Sequence, residues 1–301
     1  MAEPLRIDVH MHLYPSKEAG AREKAEYEIW EYGPKPDVVF SRFGGDTDDA
    51  LTAMREAGFA HAIVANLFAV ALLDDADRTA APAVHAERLV TSNRWACEVA
   101  ADHPELTAFP AADPLVLGAE EGAGHLRDLA ETHGARGIKI HPVLQRFLPD
   151  DPRMEPIYRT CVELGLAVLS HSGAAKGGEH FAEPAAFAPV LEAFPDLTVV
   201  LAHLGGAAWR QTVDLARAFP KLTFDLCEII EWTGAPNAPS VEELARLIRD
   251  LGPHRVMLGT DFPWYDLDRT AELVLDLPEL SLEEREAMLG ANAARILRLP
   301  V

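Results

Sequence analysis

LRIDVHMH (residues 5–12) is the stretch on which the fold turns: a strand-like run that ends on two histidines spaced two apart. Seven similar aliphatic or β-branched runs follow it. They are HAIVANLF (61–68), LTAFPAADP (106–114), ARGIKIH (135–141), LAVLSHSG (166–173), LTVVLAHLGG (197–206), LTFDLCEI (222–229) and RVMLGTDFPW (255–264). Between the runs lie Ala/Leu/Glu/Arg-rich segments such as TDDALTAMREAG (47–58), EPIYRTCVELG (155–165) and SVEELARLIRDLG (240–252), several closing on Gly or Pro as helix C-termini commonly do. Two acidic amphipathic segments, 268–276 and 281–297, finish the series. Eight such repeats in 301 residues predict an α/β fold, a single (β/α)8 TIM barrel occupying residues 1–301 as one domain. An open dinucleotide-binding sheet is the alternative, and no G-x-G-x-x-G follows the first run. Residues 13–46, rich in Gly, Pro and aromatics, read as a long loop insertion after strand one, the length at which loops become lids.

Composition narrows the partners. Forty-eight acidic residues against 27 Lys and Arg give a formal charge of −21, which repels a phosphate backbone and anionic membrane surfaces. No stretch approaches the roughly 20 apolar residues that span a bilayer, and the first residues show no basic leader or cleavage site. A cytoplasmic protein with no nucleic-acid or membrane partner is expected. Cys97, Cys161 and Cys227 form no CxxC pair, so neither a disulfide framework nor a thiolate zinc site is indicated, and they read as small buried hydrophobes.

Histidine carries the chemistry. Five of twelve fall at the ends of predicted strands: His10 and His12 on the first, His141 on the fourth, His171 on the fifth, His203 on the sixth, with Asp261 ending the eighth. Alternation along a strand points residues two apart to one face, and parallel barrel strands bring all their C-terminal ends to one rim. Imidazoles plus one carboxylate there suit a catalytic divalent metal better than a closed structural site. His10, His12, His171 and Asp261 are the expected ligands, with His203 beside the bound water or substrate. A buried hydrogen-bonded histidine is the bland reading of each alone, yet it does not explain several costly polar groups gathered in one mouth.

The motifs IDVHMH, GIKIHP, LSHSG, LAHLGG and LGTDFPW, in that order and at barrel-unit spacing, together resemble the amidohydrolase superfamily. The likeness is to its amidohydrolase-related (amidohydrolase 2) branch, which includes aminocarboxymuconate-semialdehyde decarboxylase-like enzymes, and it spans nearly the whole chain. H-x-H alone is common; five elements in this order are specific. The resemblance implies one divalent metal ion on His10, His12, His171 and Asp261, zinc first, with Mn2+ or Fe2+ also suited to the donors, and His203 as the acid/base or carbonyl-polarising group. Beside it, Lys139 reads as an uncarboxylated cation for a substrate carboxylate or a group that supports the ligands, with the carboxylated bridge of binuclear members as the alternative, and the resemblance suggests a homodimer.

The leading expectation is a metal-dependent hydrolase that attacks a small-molecule amide, ester or lactone with metal-activated water, in which Asp261 takes the water proton and His203 serves the leaving group. The alternative is a nonoxidative decarboxylase of an aromatic or unsaturated carboxylic acid. The substrate is expected to carry a carboxylate, with Lys139, His141, Arg210 and Trp264 as its contacts. Arg210 follows LAHLGGAAW, where a guanidinium could grip a carboxylate in a bidentate pair. Glu228 and Glu231 lie in the right region without further support. Trp30 and Tyr32 are candidate caps, and Gly205 and Gly206 read as a tight turn beside the metal. The remaining histidines read as structural.

Overall fold

The computed structural model describes residues 4–26 and 30–299. All eight expected strands form: β1 (Ile7–Met11), β2 (His61–Ala65), β3 (Leu106–Phe109), β4 (Gly137–Ile140), β5 (Ala167–Ser170), β6 (Thr198–Leu201), β7 (Thr223–Asp225) and β8 (Val256–Met257). They pair in parallel as β1-β2-β3 and β4 through β8. The open edges meet at two seams. Val9 N–H donates to Leu258 O at 3.0 Å and Met11 bridges Phe262, while Lys139 N–H donates to Pro110 O at 2.8 Å and Lys139 bridges Ala111. Helices cover each strand on the outside, as a parallel sheet buried on both faces requires. A capping box at Ser240 and Glu243 starts the helix Val241–Leu251, and a second at Ser281 and Glu284 starts Leu282–Glu286.

Two apolar layers follow from the pleat. Ile7, Val9, Ile63, Phe109, Leu169, Val200 and Met257 fill the barrel, with Ala293 and Leu299 from the C-terminal segment packed on the same cluster. Their neighbours in sequence, such as Val64, Ile138, Val168, Leu201 and Phe224, pack outward against the helices. One irregularity positions the site. Between Asp8 and Met11, β1 spends three steps where β2 spends two, from Ala62 to Val64. Such an extra residue re-aims side chains. Ile7 and Val9 face inward before it, Met11 packs outward after it, and His10 and His12 thereby gain the interior.

The insertion after β1 differs from the expected loop, because Lys17–Glu26 is helical. This segment, KEAGAREKAE, is almost wholly polar, and no apolar stripe announces it. Lys24 Nζ donates to Ser41 O and Phe43 O at 2.5 and 2.9 Å, tying the helix to the rest of the insertion. Among the described residues no helix is long and apolar enough to cross a membrane.

Candidate metal centre

The floor of the barrel mouth is set by carboxylates that organise histidines. On β7, Asp225 Oδ2 lies 3.0 Å from His10 Nδ1. A carboxylate only accepts, so Nδ1 carries the proton and Nε2 keeps its lone pair. Asp225 Oδ1 accepts from the backbone N–H of His203 at 2.8 Å and of Cys227 at 3.2 Å. Asp8 does similar work one layer below, accepting from His10 N–H at 2.9 Å, Thr260 N–H at 3.0 Å and the Thr260 hydroxyl. Burial pushes the Asp8 carboxyl up to about 7 despite those bonds.

His203 and Asp261 reach the mouth from backbone turned left-handed. His203, Leu204, Gly205 and Gly206 have φ of 59°, 49°, 94° and 54°, a tight turn at the end of β6 in which the Thr212 hydroxyl caps Leu204 O at 2.7 Å. Asp261 has φ 59°, and its N–H donates to His10 O at 2.8 Å. Asp tolerates that region better than most residues, but backbone of this kind is costly and concentrates at functional sites.

These turns gather donors. His12 Nε2 stands 3.0 Å from Asp261 Oδ1, and His10 Nε2 stands 3.7 Å from the same oxygen. Donors held about 2.0–2.2 Å from one ion are roughly 3–3.5 Å apart; the His12–Asp261 pair has that separation and His10 stands slightly wider, so a small inward shift of His10 would bring the trio onto one divalent ion. The carboxylate behind His10 supports the same fit, because metal-bound histidines characteristically give their other N–H to such a group. His12 Nδ1 is buried without a hydrogen-bond partner. Burial drives the pKa of His10, His171 and His203 down, which leaves neutral rings with lone pairs to donate. Burial also raises Asp261, but the hydrogen bond from His12 and the neighbouring rings outweigh it and hold the carboxyl below its usual range.

Lys139 lies within the same centre, its Nζ 2.5 Å from His10 Nε2. Burial lowers its pKa. His203 Nδ1 donates to Cys227 O at 3.1 Å and has Glu228 Oε2 at 3.4 Å, which leaves Nε2 as its available nitrogen. A second donor group, His203 with Glu228 and Asp261, shares Asp261 with the first. Above these residues is a cavity of about 310 Å³ with Tyr14, Trp30, Leu72, Leu144 and Trp264 in its wall, and Lys139 and Arg78 as its cationic members.

The centre thus brings together His10, His12, Asp261, Lys139 and His203. His171 is beside the trio and outside it: its ring stacks on His141 at 3.9 Å and 8°, two neutral rings that meet without charge repulsion, and lies 4.9 Å from His203. His141 lines the cavity, as does Trp264, edge-on to His12 at 5.5 Å. Arg210 departs from expectation. The turn after β6 carries it outward, where it is exposed with its guanidinium 4.2 Å over the Trp209 ring. Glu231 is held by Arg269 and Thr270 at 2.9 and 3.0 Å, and Tyr32 stacks on Trp232. Cys97 and Cys161 are buried. Cys227 is buried too, in the apolar cluster that fills the barrel, with its sulfur 3.0 Å from both His10 Nδ1 and His203 Nδ1.

Asp225, Asp8, Arg78 and Glu31 were not legible as site residues. Asp225 was the nearest to a signal, a carboxylate that closes β7 much as histidines stand at the ends of other strands. Asp225→Asn is expected to weaken divalent-ion affinity by about 10–100-fold, the usual effect of losing a ligand's supporting carboxylate. Isothermal titration of the apoprotein with Mn2+ checks it, and an unchanged affinity would remove Asp225 from the centre.

The barrel and the donor trio at its mouth define an α/β barrel protein with a candidate metal centre. The family model described as amidohydrolase matches residues 7–299, and the chain belongs to that family. A 2-amino-3-carboxymuconate-6-semialdehyde decarboxylase from Dictyostelium discoideum is 28% identical over 196 residues, 55% of this chain. The match spans about half of that relative, 54% of its length. The crystal structure of 5-carboxyvanillate decarboxylase from Sphingomonas paucimobilis has TM-score 0.67 at 16% identity, covering 99% of this chain and all of that one. A dihydroxybenzoic acid decarboxylase from Polaromonas, solved with bound manganese and the inhibitor 2-nitroresorcinol, has TM-score 0.71 at 17% identity, covering 99% and 98%.

Proposed function

We propose that this chain is a nonoxidative carboxy-lyase, using one divalent ion to release CO2 from a small aromatic or unsaturated carboxylic acid. The observation that carries this reading is the pairing of the His10, His12 and Asp261 trio with the buried Lys139 amine at the floor of a cavity that has Tyr14, Leu144 and Trp264 in its wall. Hydrolysis, the leading expectation from the sequence, yields to decarboxylation because the relatives and structural neighbours described above are decarboxylases.

His10, His12 and Asp261 would hold the ion, with His171 completing the set from the end of β5. An ion bound there acts as a Lewis acid toward a substrate oxygen. Imidazole and carboxylate suit manganese and zinc alike, and the manganese of the Polaromonas protein removes the reason to put zinc first. Lys139 offers a cation for the substrate carboxylate. Tyr14, Leu144 and Trp264 would pack a ring or conjugated chain and keep water from it. When CO2 leaves, its bonding electron pair remains on carbon, and that carbon needs a proton. His203, with Nδ1 fixed on Cys227 O, can take a proton at Nε2 from substrate or water and return it to the carbon.

Metal-loaded protein incubated in D2O with hydroxy- and amino-substituted aromatic acids, unsaturated semialdehyde acids and lactones tests the reading. The expected result is CO2 in step with one deuterium on the vacated carbon. Lactone or amide cleavage with no CO2 from any acid would restore hydrolysis.

A further inference from the structure

Glu31 is the buried acid of the insertion, 7% exposed, and neither ion binding nor proton transfer uses it. Its carboxylate accepts from the backbone N–H of Ala174, just beyond β5, at 3.2 Å, and lies against the loop just beyond β6, where the Ala207 N–H favours its charged form. Two glycines flank it closely. A Cβ on Gly173 would come within 2.7 Å of Glu31 Oε2, and one on Gly206 within 2.7 Å of Oε1. The neighbouring backbone is fastened as well: Asn237 Nδ2 donates to Glu31 O at 2.9 Å, Asn237 N–H to Tyr32 O at 3.0 Å, and Lys35 Nζ to Glu231 O at 2.5 Å. Trp30 and Glu31 both line the metal cavity.

We propose that Glu31 is a positioning residue, a clasp that locks the insertion after β1 onto the loops leaving β5 and β6 and so fixes the cavity wall that carries Trp30. Those loops follow His171 and lead out of His203, so the clasp also sets one side of the centre against the other. Burying a carboxyl costs free energy unless its bonds repay it, and burial here lifts Glu31 to about 7. An apolar side chain would fill the same gap without that cost, but it could not accept the Ala174 N–H while lying against the backbone of the second loop. The glycines show how closely the loops fit the carboxylate. Gly206 has a positive φ, whereas Gly173 does not, so an alanine at 173 meets an obstacle only if Glu31 is held in place. The clasp does not depend on which bond the enzyme breaks.

Hydrogen exchange on the metal-loaded protein reads the clasp directly, through peptides covering 30–43, 172–176 and 204–208, with 61–65 in β2 as the reference. Glu31→Ala is expected to speed exchange roughly tenfold or more in all three loop peptides and not in the reference, since bonds to a charged group are lost. Glu31→Gln, which keeps one accepting oxygen, is expected to fall between. Gly173→Ala should speed the same peptides when Glu31 is present and add nothing in the Glu31→Ala background. Trp30 emission, isolated as the difference from the matching Trp30→Phe protein, should shift to the red in Glu31→Ala. Gly173→Ala with wild-type exchange would show that Glu31 yields freely, and faster exchange confined to 30–43 would show that it holds no loop; either overturns the proposal. Should Glu31→Ala fail to fold, Gly173→Ala and Glu31→Gln still decide it.

Discussion

Asp261→Asn is expected to lower turnover by about 10⁴-fold or more and to lower bound metal with it, in a protein that stays folded, because this carboxylate would be the ion's anionic ligand and the ion would supply the Lewis acid. Asn keeps the conditions for folding. It tolerates the left-handed backbone at φ 59°, and its amide oxygen can still accept from His12 Nε2, now 3.0 Å from Asp261 Oδ1. What it lacks is the charge. Asp261 is the single carboxylate of the His10, His12 and Asp261 group, so its replacement leaves neutral imidazoles alone, a weaker site for a divalent ion. Metal analysis beside single-turnover kinetics checks this, and full metal with wild-type turnover would make the carboxylate a structural cap.

His203→Asn separates chemistry from binding. It is expected to retain stoichiometric metal and lose about 10²–10⁴ in kcat, the usual contribution of a positioned acid or base. Asn again suits the backbone, since His203 has φ 59°. The opposite outcome is informative. His203, Glu228 and Asp261 also form a donor group, so metal lost in step with activity would place the ion there and leave the proton to another residue.

The sequence made the eight strands and most covering helices legible because apolar runs and their spacing are local. Where it fell short, the cause is specific. Strand alternation correctly paired His10 with His12, but they face inward only because of the extra residue in β1, which no local pattern announces. The later runs were read as strands to their ends, whereas 203–206 and Asp261 turn left-handed. Arg210 was misplaced for the same reason, since continuing β6 through that turn sends it to the rim rather than the surface. Asp225 and Glu31 act across 215 and 143 residues, distances at which a single sequence holds no record of contact. The helix Lys17–Glu26 lacks the apolar stripe by which helices are recognised.

All of these expectations rest on His10, His12 and Asp261 converging on one ion. Anomalous diffraction from crystals grown with Mn2+, recorded beside metal content per chain, tests that most directly. The account predicts one strong peak per chain, within bonding distance of His10 Nε2, His12 Nε2 and an Asp261 oxygen, with Lys139 Nζ withdrawn from His10. A peak on His203, Glu228 and Asp261 instead, or a protein that binds no divalent ion at the barrel mouth, would contradict it.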